Sequence, residues 1–158
     1  MKKIVTLMLM IALVVVGICP QTSCKPSDRT VIQSKIHCFL QGYHEKNAEY
    51  MINALDAEKR EKLLAILKEQ YLIYGSIENF KLDLTQLFSC DADTNLSQFK
   101  SGDLGKILYT TSRRENALAL LQVAPYMHGS RATICFVMVY EDNTWLIHDI
   151  TSNYILSE

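Results

Sequence analysis

The clearest chemistry in this chain is a thiol placed to take a lipid. Ser23-Cys24 follows a basic pair, Lys2-Lys3, an apolar run over residues 4–18, and the helix breaker Pro20. That order is the layout of a secretory signal. The closing Ser-Cys makes it a lipoprotein signal, with cleavage before Cys24 and acylation of its sulfur. The apolar run is about 15 residues, short of the ~20 that a spanning helix needs. Lys25 stands where enteric-type sorting reads an Asp as inner-membrane retention, so the expected address is the outer membrane of a bacterial envelope.

Elsewhere the reactive residue types do not fall into catalytic patterns. His148 and Asp149 are adjacent, and alternation along a strand sends neighbours to opposite faces, so they are not expected to form a dyad. His37 and His44 are seven apart on one helix face, whereas paired ligands on a helix come three or four apart. A Ser or Cys nucleophile needs a partnered base, and no G-x-S-x-G marks one. Gly102 and Gly105 lack the Lys-Ser/Thr of a phosphate loop. Of the five cysteines, Cys19 lies in the signal and Cys24 is the lipid acceptor. Cys38, Cys90 and Cys135 remain, an odd number with neither CxxC nor zinc spacing. Cys135, between Ile134 and Phe136, is expected to be buried and unpaired. No metal and no cofactor are expected.

The chain carries 16 basic and 17 acidic residues, a formal charge of −1. Loss of residues 1–23 removes Lys2 and Lys3 and no acid, leaving −3. The charges are well mixed, with no basic stripe for nucleic acid and no polybasic membrane patch. The expected organisation is a signal peptide at 1–23, a lipidated cysteine and tether at 24–29, and one domain at 30–158. A domain of that length buries a core without staples.

Pro26 bars an early helix, and Ser27 or Asp28 can cap one starting just after it. Ile32, Ile36, Phe39 and Tyr43 recur at helical steps, with Gly42 and the polar residues 44–47 ending or bending the helix. Ala48, Met51, Ile52 and Leu55 predict a second, shorter helix. A third is the most sharply signalled. Asp56 is its N-cap, Glu58 and Lys62 form an i,i+4 pair, and Leu63, Leu67, Tyr71 and Tyr74 make its stripe. Gly75 is its stop. The period then changes. Phe80, Leu82 and Leu84 alternate with polar residues, predicting a strand toward Cys90. Residues 91–106 read as a long polar loop and 107–111 as a short strand. Residues 116–124 read as a further strand, and 131–140 as a central one. A turn at 141–143 leads into a returning strand over 144–150. Helices followed by strands predict an α+β domain with an antiparallel sheet.

The last hairpin resembles the end of NTF2-like domains, the cystatin-like α+β cone. There a long strand turns through a polar corner into a closing strand reading W-x-I-x-x-I, matched by Trp145, Ile147 and Ile150. Many small exported bacterial lipoproteins are of this type. The family usually has a polar or basic residue where this chain has Leu146. That puts apolar residues on both faces of the strand and implies a partly covered outer face or a different register. The resemblance implies N-terminal helices packed on a curved antiparallel sheet. In enzymes of this fold, Asp, His or Tyr side chains line the cone mouth, where desolvation tunes a carboxylic acid for acid–base work. His148, Asp149, Asp83, Tyr43 and Tyr71 are the residues this chain offers.

Two functional classes are implied. The first is a non-enzymatic, membrane-tethered binding or accessory lipoprotein, holding an envelope protein or a small apolar ligand, with Tyr43, Tyr71 and His148 as binding residues. Eight tyrosines among 14 aromatics tilt toward it, since tyrosine suits a half-wet apolar surface. The second is a small hydrolase, isomerase or dehydratase working in the cone mouth. Trp145 is expected in the core, against the helices near Phe39 or Tyr43.

Overall fold

In the computed structural model of the protein, residues 26–76, 80–110, 115–122 and 133–152 are described. The signal segment, Cys24 and residues 123–132 lie outside them. Helix α1 (Asp28–Glu45) starts where the Ser27 side chain accepts the Thr30 N–H. It buries Ile32, Ile36, Phe39 and Leu40. The helix runs on through Gly42. A Cβ there would lie 2.7 Å from Met51 Cγ and 2.8 Å from the Asn47 carbonyl, so Gly42 is where the next helix crosses. The helix ends among the polar residues 44–47, as expected, at Glu45 with Lys46 in the left-handed region at φ 55° as its C-cap. Helix α2 (Ala48–Ala54) is capped by Asn47, which accepts the Glu49 and Tyr50 N–H groups.

Leu55 then pairs with Ile147 as an isolated parallel bridge, and the Asp56 N–H donates to the Ile147 carbonyl at 3.1 Å. Helix α3 (Ala57–Tyr74) comes next, capped by Asp56 and closed by Gly75 at φ 70°. A left-handed φ of this kind favours glycine. Leu63 and Leu67 of the expected stripe are buried, but Tyr71 is 57 % and Tyr74 76 % exposed, so the stripe outruns the core.

The strand expected from Phe80 toward Cys90 is not formed. Residues 80–83 are coil, followed by one 3-10 turn, Leu84–Gln86, that Asp83 starts by accepting from Thr85. The Gln70 side chain takes both backbone groups of Lys81, its amide donating to the Lys81 carbonyl and its oxygen accepting the Lys81 N–H. A side-chain amide thus does what a neighbouring strand would do. The long polar loop expected at 91–106 is not bare coil, and its last residues already belong to a strand that starts at Leu104. Two further 3-10 turns, Leu96–Gln98 and Ser101–Asp103, feed Leu96, Phe99 and Leu104 into the core.

Strands β1 (Leu104–Tyr109), β2 (Asn116–Gln122), β3 (Thr133–Glu141) and β4 (Thr144–Ser152) form an open antiparallel sheet in chain order. The domain is therefore α+β, three helices and four strands among the described residues. The β3–β4 corner is two residues long, Asp142 and Asn143, both at positive φ (49° and 61°). That backbone matches the right-handed twist of the flanking strands. One sheet face, with Ala117, Ala119, Phe136, Met138, Trp145 and Ile147, meets the helices as the core. The other face is apolar too, and Leu120, Cys135 and Leu146 are buried there. Leu146 thus stands on a covered outer face, the first of the two alternatives its apolar character left open.

Candidate functional site

The register of β3 against β4 shifts at one place. Val137 pairs with Asp149 and Met138 with Ile147, leaving His148 as the extra residue of a bulge. A bulge bends its strand and re-aims a side chain. Here it returns Ile150 to the core face opposite Phe136 and turns His148 toward the start of α3. His148 Nδ1 lies 2.5 Å from Asp56 Oδ2, with the imidazole 47 % exposed and the carboxylate 5 % exposed. Asp56 uses both oxygens, Oδ1 accepting the Lys59 N–H at 2.9 Å and Oδ2 accepting from His148. With the carboxylate as acceptor Nδ1 is the donor, and a neutral ring so held would present Nε2 as its acceptor on the half-exposed side. A histidine oriented by a buried carboxylate is an arrangement that can serve as a general base. On the same first turns of α3, Glu58 and Lys62 pair with each other at 2.7 Å. Their mutual attraction holds the Glu58 carboxyl below the usual carboxylate range and the Lys62 ammonium above the usual lysine range.

The other acid–base candidates are committed to structure. Asp149 Oδ1 accepts the Ser89 and Ile150 N–H groups, and Asp83 caps the Leu84–Gln86 turn. Tyr43 is half-buried at the end of α1. It lines an open cleft of about 340 Å³ with His44, Lys46, Phe80, Lys81 and Leu82. Tyr71 stands exposed on α3. No hydrogen bond among the described residues joins Tyr43, Tyr71 and His148, and each belongs to a different feature. His37 and His44 are both exposed, and His37 Nδ1 lies 3.3 Å from Ser101 Oγ.

A second feature lies at the other end of α3. Residues 71–74 are Tyr, Leu, Ile and Tyr, and all four are exposed, at 57, 75, 63 and 76 %. Successive helical residues step about 100° apart, so four in a row present apolar surface around the whole last turn. A helix apolar all round is ordinarily buried, and a contiguous exposed apolar patch marks an interaction surface. Beside this turn runs an open groove of about 380 Å³, lined by Ile66, Gln70, Ile73, Tyr74, Phe80 and Lys81 among others.

Trp145 is 1 % exposed and belongs to the core, but its ring neighbours are Tyr109 at 6.0 Å and Tyr140 at 5.4 Å. The Phe39 ring packs on Phe88 and Phe136 within the same core, against which Tyr43 is also packed. The buried Trp145 Nε1 has no acceptor among the described residues. Cys38, Cys90 and Cys135 are all free thiols. Cys135 is buried as expected, and desolvation pushes its thiol up to about 11. Desolvation raises the half-buried Cys90 as well.

Two site features escape a reading of residue types alone. Asp56 serves His148 as well as its helix, and the two are 92 positions apart, beyond any local spacing rule. The bulge that brings them together does leave a trace. Trp145 to Ile147 is a step of two and Ile147 to Ile150 a step of three, which share a strand face only if one residue is extra. No helix among the described residues is long and apolar enough to cross a membrane. No group of three or more His, Cys, Asp or Glu side chains among them is placed to hold a metal ion. No protein-family model, curated protein or solved structure matches the chain.

Proposed function

We propose that this chain is a non-enzymatic binding or accessory lipoprotein of a bacterial envelope. It is tethered to the outer membrane through Cys24 and presents the last turn of α3 to its partner. The observation that carries the reading is the exposed apolar ring of Tyr71, Leu72, Ile73 and Tyr74. An NTF2-like cone remains the proposed fold. Its support is three helices ahead of an antiparallel meander, and a closing strand whose bulge at His148 fits the W-x-I-x-x-I spacing. The partner is an envelope protein or a small apolar ligand.

Two measurements test this. Cys24→Ala in the full chain should move the protein out of the membrane fraction, and a variant that stays membrane-bound defeats the tether. Anilinonaphthalene sulfonate, a probe of exposed apolar surface, should brighten on the native chain and lose most of that signal in Leu72→Glu/Ile73→Glu. Equal signals from both proteins defeat the binding surface.

The Asp56–His148 pair favours a second reading, a small hydrolase, isomerase or dehydratase with His148 as general base. Its test is turnover of p-nitrophenyl acetate. Hydrolysis that disappears in both His148→Ala and Asp56→Asn supports an enzyme, and hydrolysis unchanged in both excludes this base.

A further inference from the structure

The cleft at the C-terminal end of α1 combines apolar walls with uncompensated positive charge. Tyr43, Phe80 and Leu82 give it apolar surface, and His44, Lys46, Lys81 and Ser97 give it polar groups, in about 340 Å³. Among the described residues no acid lines it. We infer that this cleft binds a small organic acid, a carboxylate or phosphate group carried on a compact apolar body. The inference goes beyond the reading of residues 71–74 as a binding surface and does not depend on it.

The polar groups converge from three separate segments. His44 and Lys46 come from the end of α1, Lys81 from the coil at 80–83, and Ser97 from the Leu96–Gln98 turn. Cations near a helix C-terminus are favourable by themselves, which accounts for His44 and Lys46. It does not account for Lys81, whose place is set by another element. The Gln70 side chain on α3 bonds both backbone groups of Lys81, donating to its carbonyl and accepting its N–H. An exposed coil residue is thereby held where it lines the cleft. Lys46 is held there by a left-handed backbone, at φ 55°. That position usually falls to glycine or asparagine, because a Cβ makes it costly.

Nothing in the fold neutralises these ammonium groups. Lys46 and Lys81 make no ion pair among the described residues. The acids beside them in sequence serve their own segments, Glu45 accepting from the Gln41 amide and Asp83 from the Thr85 N–H. Glu69 lines the adjoining groove with Lys81, but the two do not pair. The chain as a whole is slightly acidic, at −1, so the positive charge is a property of the cleft. Like charges on one cleft repel, and a bound anion removes that repulsion.

Size and chemistry set the ligand class. A volume near 340 Å³ is at the small end for ligand sites, in which apolar walls bury the ligand and a few polar groups orient it. Tyr43 and Phe80 offer ring surface and Leu82 an aliphatic wall, which suits a single ring or a short chain. A lysine ammonium is a point charge and not a planar fork, so the two lysines accept a carboxylate or a phosphate alike. The Ser97 hydroxyl can donate to either. Both lysines are exposed, so the attraction is screened by salt.

Equilibrium dialysis of the full chain against 3-phenylpropanoate tests this, with phenyl phosphate and the neutral 3-phenylpropanamide as comparisons. Saturable binding of at least one acid is expected, about tenfold tighter than the amide, and the tighter acid identifies the head group. Raising sodium chloride from 50 to 500 mM should weaken it about threefold or more. Lys46→Gln/Lys81→Gln should weaken it about tenfold. Lys106→Gln, an exposed change on β1 that does not touch the cleft lining, should leave it unchanged. An amide that binds as tightly as both acids overturns the inference, and so does binding that ignores salt. Acid binding that survives the double variant, or that falls equally in Lys106→Gln, puts the anion elsewhere and overturns it as well. No saturable binding of either acid overturns it while leaving the apolar turn of α3 untouched. The amide and salt comparisons use the unaltered chain and decide the matter even where a variant fails to fold.

Discussion

His148 and Asp56, 92 positions apart, meet at 2.5 Å because a bulge in β4 turns the histidine toward the cap of α3. The carboxylate is buried and doubly used, closing the helix through Oδ1 and anchoring the sheet edge through Oδ2.

That double use predicts an order among variants. Asp56→Ala removes a cap, which costs about 0.5–2 kcal/mol, and the histidine's acceptor as well. A total of about 2–3 kcal/mol is expected. Asp56→Asn keeps an oxygen for the Lys59 N–H and should cost about 1 kcal/mol. His148→Ala is expected near 1 kcal/mol, since half of the ring is already in water and screening discounts the pair. Urea unfolding of the three variants measures the order. Equal losses in the Ala and Asn variants of Asp56 would show that the cap contributes nothing.

Cys135 supplies a pH dependence. Burial pushes its thiol from 9.0 up to about 11. Between those values the folded chain holds a proton that the unfolded chain has released. The native state thus binds more protons, and stability falls as pH rises through this window. The contribution is fully present below about pH 9 and gone above about 11, and a shift of this size corresponds to roughly 2–3 kcal/mol. Unfolding midpoints at pH 8 and pH 10.5 should separate by more in the wild type than in Cys135→Ala. A native-state thiol reagent should reach Cys135 only after unfolding, and rapid labelling of the folded chain contradicts the burial.

The sequence makes legible those features that local chemistry decides. Asp56 as a cap and Gly75 as a stop are both found where residue type placed them, and so is the β-branched central strand. The failures have a common cause. Phe80, Leu82 and Leu84 alternate like a strand, but Gln70 rather than a neighbouring strand takes the backbone groups of Lys81. The stripe through Tyr71 and Tyr74 has the right period, yet a period names a face without saying where the core ends. Asp56 with His148, and Trp145 with Tyr109, are set by how distant segments meet, which no spacing along the chain records.

Trp145 separates ring packing from hydrogen bonding. The indole is buried against Tyr109 and Tyr140, and its N–H has no acceptor among the described residues. Trp145→Ala opens a large cavity and should cost about 3–5 kcal/mol, a large share of the roughly 5–15 kcal/mol that a domain has in hand. Trp145→Phe keeps a ring against both tyrosines and removes a buried donor that satisfies nothing. It should cost about 1–2 kcal/mol, with much of the cavity penalty offset by that removal. Thermal midpoints of the two variants decide between these roles. A Phe variant as damaged as the Ala variant means that the indole N–H has an acceptor after all.

Gly42 sets two known effects against each other. In a helix interior, alanine is favoured over glycine by about 1 kcal/mol, so Gly42→Ala in an isolated α1 would strengthen the helix. In the folded chain the new Cβ would stand 2.8 Å from the Asn47 carbonyl and 2.9 Å from the Met51 nitrogen, both backbone atoms. Backbone cannot rotate away as the Met51 side chain can, so α2 must shift bodily off α1. Overpacking of this kind costs about 1–3 kcal/mol and outweighs the gain in propensity. Gly42→Ala should therefore destabilise the domain by about 1–2 kcal/mol in urea unfolding, while a peptide spanning residues 28–45 gains helicity by circular dichroism. If the domain is stabilised instead, the close crossing of α1 and α2 at Gly42 is not present in solution.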